Sequence, residues 1–138
     1  MDLIEIQKVN ADDLLEIRHL VLWPDKPREF VKVPEDESGI HFGLHLDGTL
    51  VSVISLFAEG KNVRFRKFAT LPGFQGKGLG SRLLQHAIAY AQAQGYTRMW
   101  CDARTDALGF YERFHFRKFS EPFFKEHIEY YKIERMLS

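Results

Sequence analysis

The sequence predicts a single α+β domain over residues 1–138, built on a mixed and mostly antiparallel sheet of about six or seven strands with helices on both faces. The segments read in the order β-α-β-β-β-α-β-α-β-β. "IHFGLHLDGTLVSVISLF" reads as a hairpin, because Phe42, Leu44 and Leu46 alternate with His41, Gly43 and His45, and Asp47-Gly48 supports a tight turn. "LGSRLLQHAIAYAQAQG" keeps helical spacing at Leu79, Leu83, Leu84, Ala87, Ile88 and Ala91, with Gly95 where a helix stop belongs.

The remaining elements follow in chain order. "LIEIQKV" has the β-branched content of a first strand. "ADDLLEIRHLVLW" is a helix with Leu14, Ile17 and Val21 on one face and Asn10 or Asp12 as its cap. Pro24, Pro27 and Pro34 break the stretch from Trp23 to Ser38 into a loop, with at most a short helical piece at Arg28–Val31. The returning hairpin strand runs from Thr49 to Phe57. "NVRFRKFATLP" is a further strand in which Val63 and Phe65 share a face and Phe68 falls out of phase. Either a β-bulge near Arg66 or Lys67, or a strand with an exposed Phe68, accounts for that slip. "TRMWCDA" is a short strand, and "TDALGFYERF" a short helix with Thr105 or Asp106 as cap. Segments 117–124 and 128–136 are the last strands.

Composition narrows the function. Nineteen basic residues balance nineteen acidic ones, which disfavours a broad electrostatic grip on nucleic acid or an anionic membrane. No apolar run approaches the ~18 residues of a membrane span, and the N-terminus does not read as a signal peptide. One cysteine, Cys101, allows no intrachain disulfide and fits a reducing, cytoplasmic setting. Its place in mid-strand marks it as a small core residue rather than a nucleophile. The six histidines show no ligand spacing, so no metal is expected.

The chemistry lies in "PGFQGKGLGSRL", residues 72–83. Gly76, Gly78 and Gly80 fall between a strand and the mouth of the long helix, whose first amides have no intrahelical partner. Bare backbone there suits an anion, with Lys77 as a mobile charge and Ser81 as a hydroxyl donor. The spacing matches neither a P-loop nor a dinucleotide-binding fingerprint.

The spacing does fit Q-x-x-G-x-G, and "ATLPGFQGKGLGSRLL" resembles the pyrophosphate loop of the GNAT superfamily of N-acetyltransferases. "ARTDALGFYERFHF" resembles a second motif of that superfamily, with Ala107, Phe110, Tyr111 and Phe116 in register, and the order of elements agrees over nearly the whole chain. The resemblance implies a GNAT-like acyl-CoA N-acyltransferase fold and an enzyme of the small, stand-alone bacterial type. Its reaction would be acetyl transfer from acetyl-CoA, with no metal, to a primary amine of a small molecule or peptide by direct attack in a ternary complex.

It also implies where the cosubstrate lies: in a wedge where the fourth and fifth strands splay apart beside a bulge. Backbone groups of Phe68, Ala69, Thr70 and Leu71 would bond the pantetheine arm, and the amides of Gln75, Gly76, Lys77, Gly78, Leu79 and Gly80, with Ser81, would hold the pyrophosphate. A backbone N–H near Ala69 would meet the oxyanion. Tyr111 matches the position that donates a proton to the departing thiolate, although the residues alone read rather as an aromatic packed between helix and sheet. A homodimer is common in the superfamily.

Three departures from the pattern stand out. Arg64 takes the position where some members carry a glutamate base, leaving Glu59, Glu129, His127, His45 or a water as open choices. Arg104 replaces an asparagine; it could meet phosphate, meet a substrate carboxylate, or lie on the surface. His115 replaces a glycine, in a position where histidine tolerates left-handed backbone better than most residues. These changes keep a second function open, a non-catalytic acyl-CoA sensor or scaffold. The acceptor pocket implied by the family lies between the loop after the first helix and the last strands. Asp25, Glu29, Glu35 and Glu37 in that loop either suit a small cationic amine or merely solubilise the loop.

Overall fold

The computed structural model describes residues 3–137; Met1, Asp2 and Ser138, the ends of the predicted domain, lie outside the described residues. One sheet runs through the chain. Strand β1 (Ile4–Lys8) pairs antiparallel with β2 (Ile40–Leu46), and β2 with β3 (Thr49–Glu59). Asp47 and Gly48 join them with φ of 51° and 86°, the two left-handed positions a type I′ turn demands. β4 (Asn62–Thr70) continues the meander, β5 (Arg98–Arg104) runs parallel to it, and β8 (Ile128–Met136) is antiparallel to β5.

The predicted strand 117–124 is two pieces, β6 (Arg117–Lys118) and β7 (Phe123–Lys125), both paired with β8. The break between them contains Pro122, which has no N–H to give a ladder. The described residues therefore form eight strands, against the six or seven expected.

Helices cover both faces as expected. α1 (Ala11–Leu22) lays Leu14 and Ile17 against Val53 and Ala69 on one face. Asn10 is its N-cap residue but makes no side-chain capping bond, and Asp12 and Asp13 in the first turn favour the positive end of the helix dipole. α2 (Leu79–Ala93) buries all six residues of its predicted stripe against Ile54, Leu56, Val63, Phe65 and Met99 on the other face. It ends at Gly95 (φ 87°), with Tyr96 N–H bonded to Ala91 C=O and Gly95 N–H to Gln92 C=O, a Schellman closure. The predicted helix 105–114 is a 3₁₀ turn (Thr105–Ala107) running into α3 (Leu108–Glu112). Thr105 does not cap it, because its hydroxyl donates to Glu129 Oε1 at 2.8 Å. The proline-rich loop carries the expected turn at Arg28–Val31 and a second at Asp36–Ser38.

Candidate active site

The site begins with a register error built into β4. Val53 of β3 faces Ala69 and Ser55 faces Arg66, so Lys67 and Phe68 together oppose the single residue Ile54. The phase slip read from the sequence is therefore a bulge. Lys67 takes φ of 56° to make it, a conformation that costs a non-glycine residue roughly 1–3 kcal/mol. β4 and β5 pair only from Asn62/Arg98 to Arg64/Trp100. Past that point β5 pairs with β8 alone, and a wedge opens between the two parallel strands.

Two cavities meet at this wedge, and Phe68, Ala107 and Tyr111 line both. The larger, about 580 Å³, reaches from the wedge to the mouth of α2. Of the residues singled out by sequence for the cosubstrate, Phe68, Ala69, Thr70, Gln75, Gly76, Gly78, Gly80 and Ser81 line it. Leu71, Lys77 and Leu79 line neither cavity. The Leu71 N–H already donates to Val51 C=O at 2.9 Å and its carbonyl accepts from Phe74 N–H, Leu79 is buried in the core, and the Lys77 ammonium lies 5.8 Å from the centre of the Phe74 ring.

The glycine loop has the geometry an anion seat needs. Gly76 and Gly78 have φ of 74° and 79°, and an added Cβ would project into open space at either. Gly78 is the N-cap of α2, so the amides of residues 79–81 lack intrahelical acceptors and their dipoles add at this end. The Gln75 side chain ties the loop to the strand by donating from Nε2 to Thr70 C=O at 2.8 Å. Val21, Phe74, Phe110 and Arg113 complete the wall, and sequence reasoning assigned none of them a role here.

Tyr111 stands between the two cavities. It is buried among Phe65, Phe68, Phe110 and Phe116, whose ring centres lie 5.2–6.5 Å from its own. Burial pushes its hydroxyl well above the ordinary phenol range, and the neighbouring Cys101 adds to the shift. The phenol therefore keeps its proton at neutral pH. The Cys101 thiol is itself pushed up by burial and stays protonated. His115, three residues beyond the C-terminal end of α3, takes φ of 68°, the left-handed backbone expected of it.

The smaller cavity, about 190 Å³, lies on the other side of Tyr111. Its walls are Leu22 and Trp23 at the end of α1, residues 64–68 of β4, residues 101–104 of β5, and Lys125 and Tyr130 near the C-terminus. Five cations line it, Arg64, Arg66, Lys67, Arg104 and Lys125, against one carboxylate, Asp102. Asp102 accepts from Arg64 at 2.7 Å, Lys125 at 2.8 Å and Lys132 at 3.0 Å. Burial alone would raise its pKa; the bonds from Lys125 and Lys132 and the surrounding positive charge outweigh burial and hold it below the ordinary value. Arg104 donates to Leu22 C=O at 2.9 Å and lies over the Trp23 ring. Of the five cations, only Arg64 and Arg104 were weighed as site side chains from the sequence; Arg66 and Lys67 figured there only as the place of the bulge. The available signal was the i, i+2 alternation of Arg64 and Arg66, which the bulge extends to Lys67.

Glu59, Glu129, His127 and His45, the open choices for a base, line neither cavity, and neither do Asp25, Glu29, Glu35 and Glu37. Among the described residues no cluster of metal-ligating side chains is present, and no helix is long and apolar enough to cross a membrane.

A sheet split beside a bulge, with a glycine-lined helix mouth at one end and a buried tyrosine at its centre, defines an acyl-CoA N-acyltransferase type of fold. The model of the acetyltransferase (GNAT) family matches residues 8–116, and the chain belongs to that family. It is 34% identical over 146 residues to the uncharacterized N-acetyltransferase YitI of Bacillus subtilis (strain 168), covering 96% of this chain and 98% of that one. Among solved structures it resembles a putative N-acetyltransferase from Lactobacillus plantarum, with a TM-score of 0.88 at 18% identity over 98% of this chain and 99% of that one. It also resembles a GNAT family acetyltransferase from Elizabethkingia anophelis with acetyl-CoA bound, with a TM-score of 0.77 at 18% identity, covering 97% and 98%.

Proposed function

We propose that this acetyltransferase moves the acetyl group of acetyl-CoA to a primary amine of a small molecule or peptide, by direct attack in a ternary complex. The observation that carries this reading is the placement of Tyr111 between the glycine-lined cavity and the cationic cleft, where one side takes the donor and the other the acceptor. Acetyl-CoA supplies an acetyl thioester when bound. Gly76 and Gly78 leave the diphosphate free approach to the loop amides, and the open mouth of α2 adds its dipole. Phe68, Ala69 and Thr70 stand along the bulged strand where the pantetheine arm would run.

The amine nitrogen must be neutral to attack. The cleft favours that form, because a surplus of positive charge disfavours one more ammonium. Lys67 shows the effect: burial, then Arg66, Arg18 and Lys125, lower its pKa to about 8. Asp102, held ionised by its three cations, is a poor proton acceptor, so the amine proton leaves through water. The nitrogen forms the C–N bond as the C–S bond breaks, Tyr111 gives its hydroxyl proton to the departing sulfur, and the proton that the acylated nitrogen sheds passes through water to Tyr111. A cytoplasmic location belongs to the same proposal.

The test is thiol release from acetyl-CoA with a broad amine panel, beside thermal unfolding with acetyl-CoA. Tyr111→Phe lowers kcat by roughly 10²–10⁴ while leaving acetyl-CoA stabilisation unchanged. At about 100 times its Kd the donor adds about 2.7 kcal/mol. Stabilisation without turnover on any amine would favour a sensor or scaffold, and no stabilisation would remove both.

A further inference from the structure

We propose that the acceptor carries an anionic group, a carboxylate or a phosphate, beside its reactive amine, and that the cations of the cleft beyond Tyr111, Arg66 foremost, hold it. This rests on the acetyl transfer proposed above and names its acceptor class. The chain as a whole is neutral, so the five cations gathered against Asp102 are a local arrangement and not a consequence of overall composition.

Their pairing is incomplete. Arg64, Lys125 and Lys132 share the one carboxylate of Asp102. Among the described residues Arg66 has a single carboxylate within 4.0 Å, Glu35 at 3.9 Å on a side chain 60% exposed. Neither Lys67 nor Arg104 has a carboxylate partner among those residues. The Arg64 Nε is buried without a hydrogen-bond partner. Like charges packed this closely raise one another's free energy, and at Lys67 the charges of Arg66, Arg18 and Lys125 add to burial, the larger cause of its lowered pKa. An acceptor bearing only an ammonium would enter against this field. One bearing an anion would be drawn in by it and would satisfy donors the protein leaves short of partners.

The remaining walls agree with a small acceptor. The cleft encloses about 190 Å³, and Trp23 and Tyr130 give it aromatic sides. The guanidinium of Arg104 is held by Leu22 C=O and lies over the Trp23 ring, 5.4 Å from its centre, neither of which neutralises it.

The experiment uses the full chain, acetyl-CoA and acceptor pairs that differ only in the acidic group: 4-aminobutyrate against butylamine, and phosphoethanolamine against ethanolamine. Both the carboxylate and the phosphate arm are read as kcat/KM, and the arm with the larger ratio names the anion. The acidic member is preferred by roughly tenfold to a hundredfold, the range of one charge-assisted hydrogen bond, and salt narrows the preference. Arg66→Gln collapses the ratio through KM with kcat kept. Thermal unfolding establishes that this variant is folded, and Lys125→Gln serves as the second variant. Unfolding of the CoA-saturated protein with each acceptor gives a readout independent of turnover, with a larger shift for the acidic member. Equal or better use of the neutral amines, with acetyl transfer intact, overturns the acceptor class and leaves the transferase reading standing. CoA binding without any shift for the acidic members also overturns it. Failure to bind acetyl-CoA removes the transferase reading, and this inference with it.

Discussion

Replacing Arg18 is the sharpest test of how the wall of the cationic cleft is held together. Arg18 lies on α1 and is fully buried, a rare state for an arginine. Its guanidinium bonds both oxygens of Asp36 at 2.8 and 2.9 Å, Val31 C=O at 3.1 Å and Ser55 Oγ at 2.9 Å. His41 extends the network, from Nδ1 to Ser55 Oγ at 2.7 Å and from Nε2 to Asp36 C=O at 2.8 Å. One side chain thus ties α1 and the proline-rich loop to β2 and β3, and Leu22 and Trp23 at the end of α1 wall the cationic cleft.

Arg18→Met keeps most of the volume and removes all four bonds from the guanidinium, leaving those of His41. Removing one partner of a buried pair typically costs about 3–5 kcal/mol, because the other charge remains buried. Two features set the expectation near ~3 kcal/mol: Arg18 Nε already lacks a partner, so part of the burial cost is uncompensated in the wild type, and Asp36 keeps the Val33 N–H at 3.0 Å. Against a typical total of ~5–15 kcal/mol this is a large loss. Urea denaturation at pH 7 measures it, with Lys32→Ala as control. The Lys32–Glu29 pair is largely exposed, and such pairs contribute ~0–1 kcal/mol. If Arg18→Met cost no more than the control, the network would be ornamental and the reasoning wrong. Acid gives a second reading. Burial would raise the Asp36 pKa, but the Arg18 bonds, the Val33 amide and the Arg18 charge outweigh it and hold it below the ordinary value. The stability from this group is therefore fully present above the unfolded pKa of ~3.9 and is lost as pH falls through the lower folded value. Arg18→Met flattens that acid limb.

Other expectations separate ligand effects from folding effects. Gly78→Ala forces a side chain into left-handed backbone and costs about 1–2 kcal/mol of stability, read by thermal unfolding. Gly80 has no positive φ, and its added Cβ meets Thr70 Oγ1 at 3.4 Å and Phe68 Cζ at 3.5 Å, ordinary contacts. Gly80→Ala thus keeps or gains up to ~1 kcal/mol of stability. Both variants weaken acetyl-CoA binding by roughly tenfold, about 1.4 kcal/mol, in a calorimetric titration; unchanged affinity in both would place the diphosphate elsewhere. Lys67→Met raises stability at pH 7, where the folded protein holds an ammonium that burial and its neighbours disfavour. The folded pKa of about 8 lies below the unfolded one, so wild-type stability climbs from about pH 8 toward 10 and the advantage of the variant shrinks, as denaturant midpoints across that range would record.

Local signals were enough to place most elements. The α2 stripe, its Gly95 stop and the Asp47-Gly48 turn depend on spacing and backbone preference within a few residues, and each stands where the sequence puts it. The glycine loop was legible for the same reason: three glycines before an apolar stripe need no distant partner to be recognised. Phe68 slipping out of phase was a local trace of the bulge, though only pairing with β3 decided between a bulge and an exposed ring. The split of 117–124 was less visible, since both halves are held by the same distant strand, β8.

The cationic cleft was legible in the sequence only as the i, i+2 spacing of Arg64 and Arg66. It takes residues 22–23, 64–68, 101–104, 125 and 130, which share no periodicity and meet only where β4 parts from β5. Read along the chain, charge is a sum that comes to zero; in the folded molecule it is a field, whose value at one point depends on which side chains converge there and how far water is excluded. Sequence alone therefore determined the class of domain and the glycine loop at the mouth of α2. Tertiary structure decided the sign of the cleft beyond Tyr111, because electrostatics acts through space and not along the backbone.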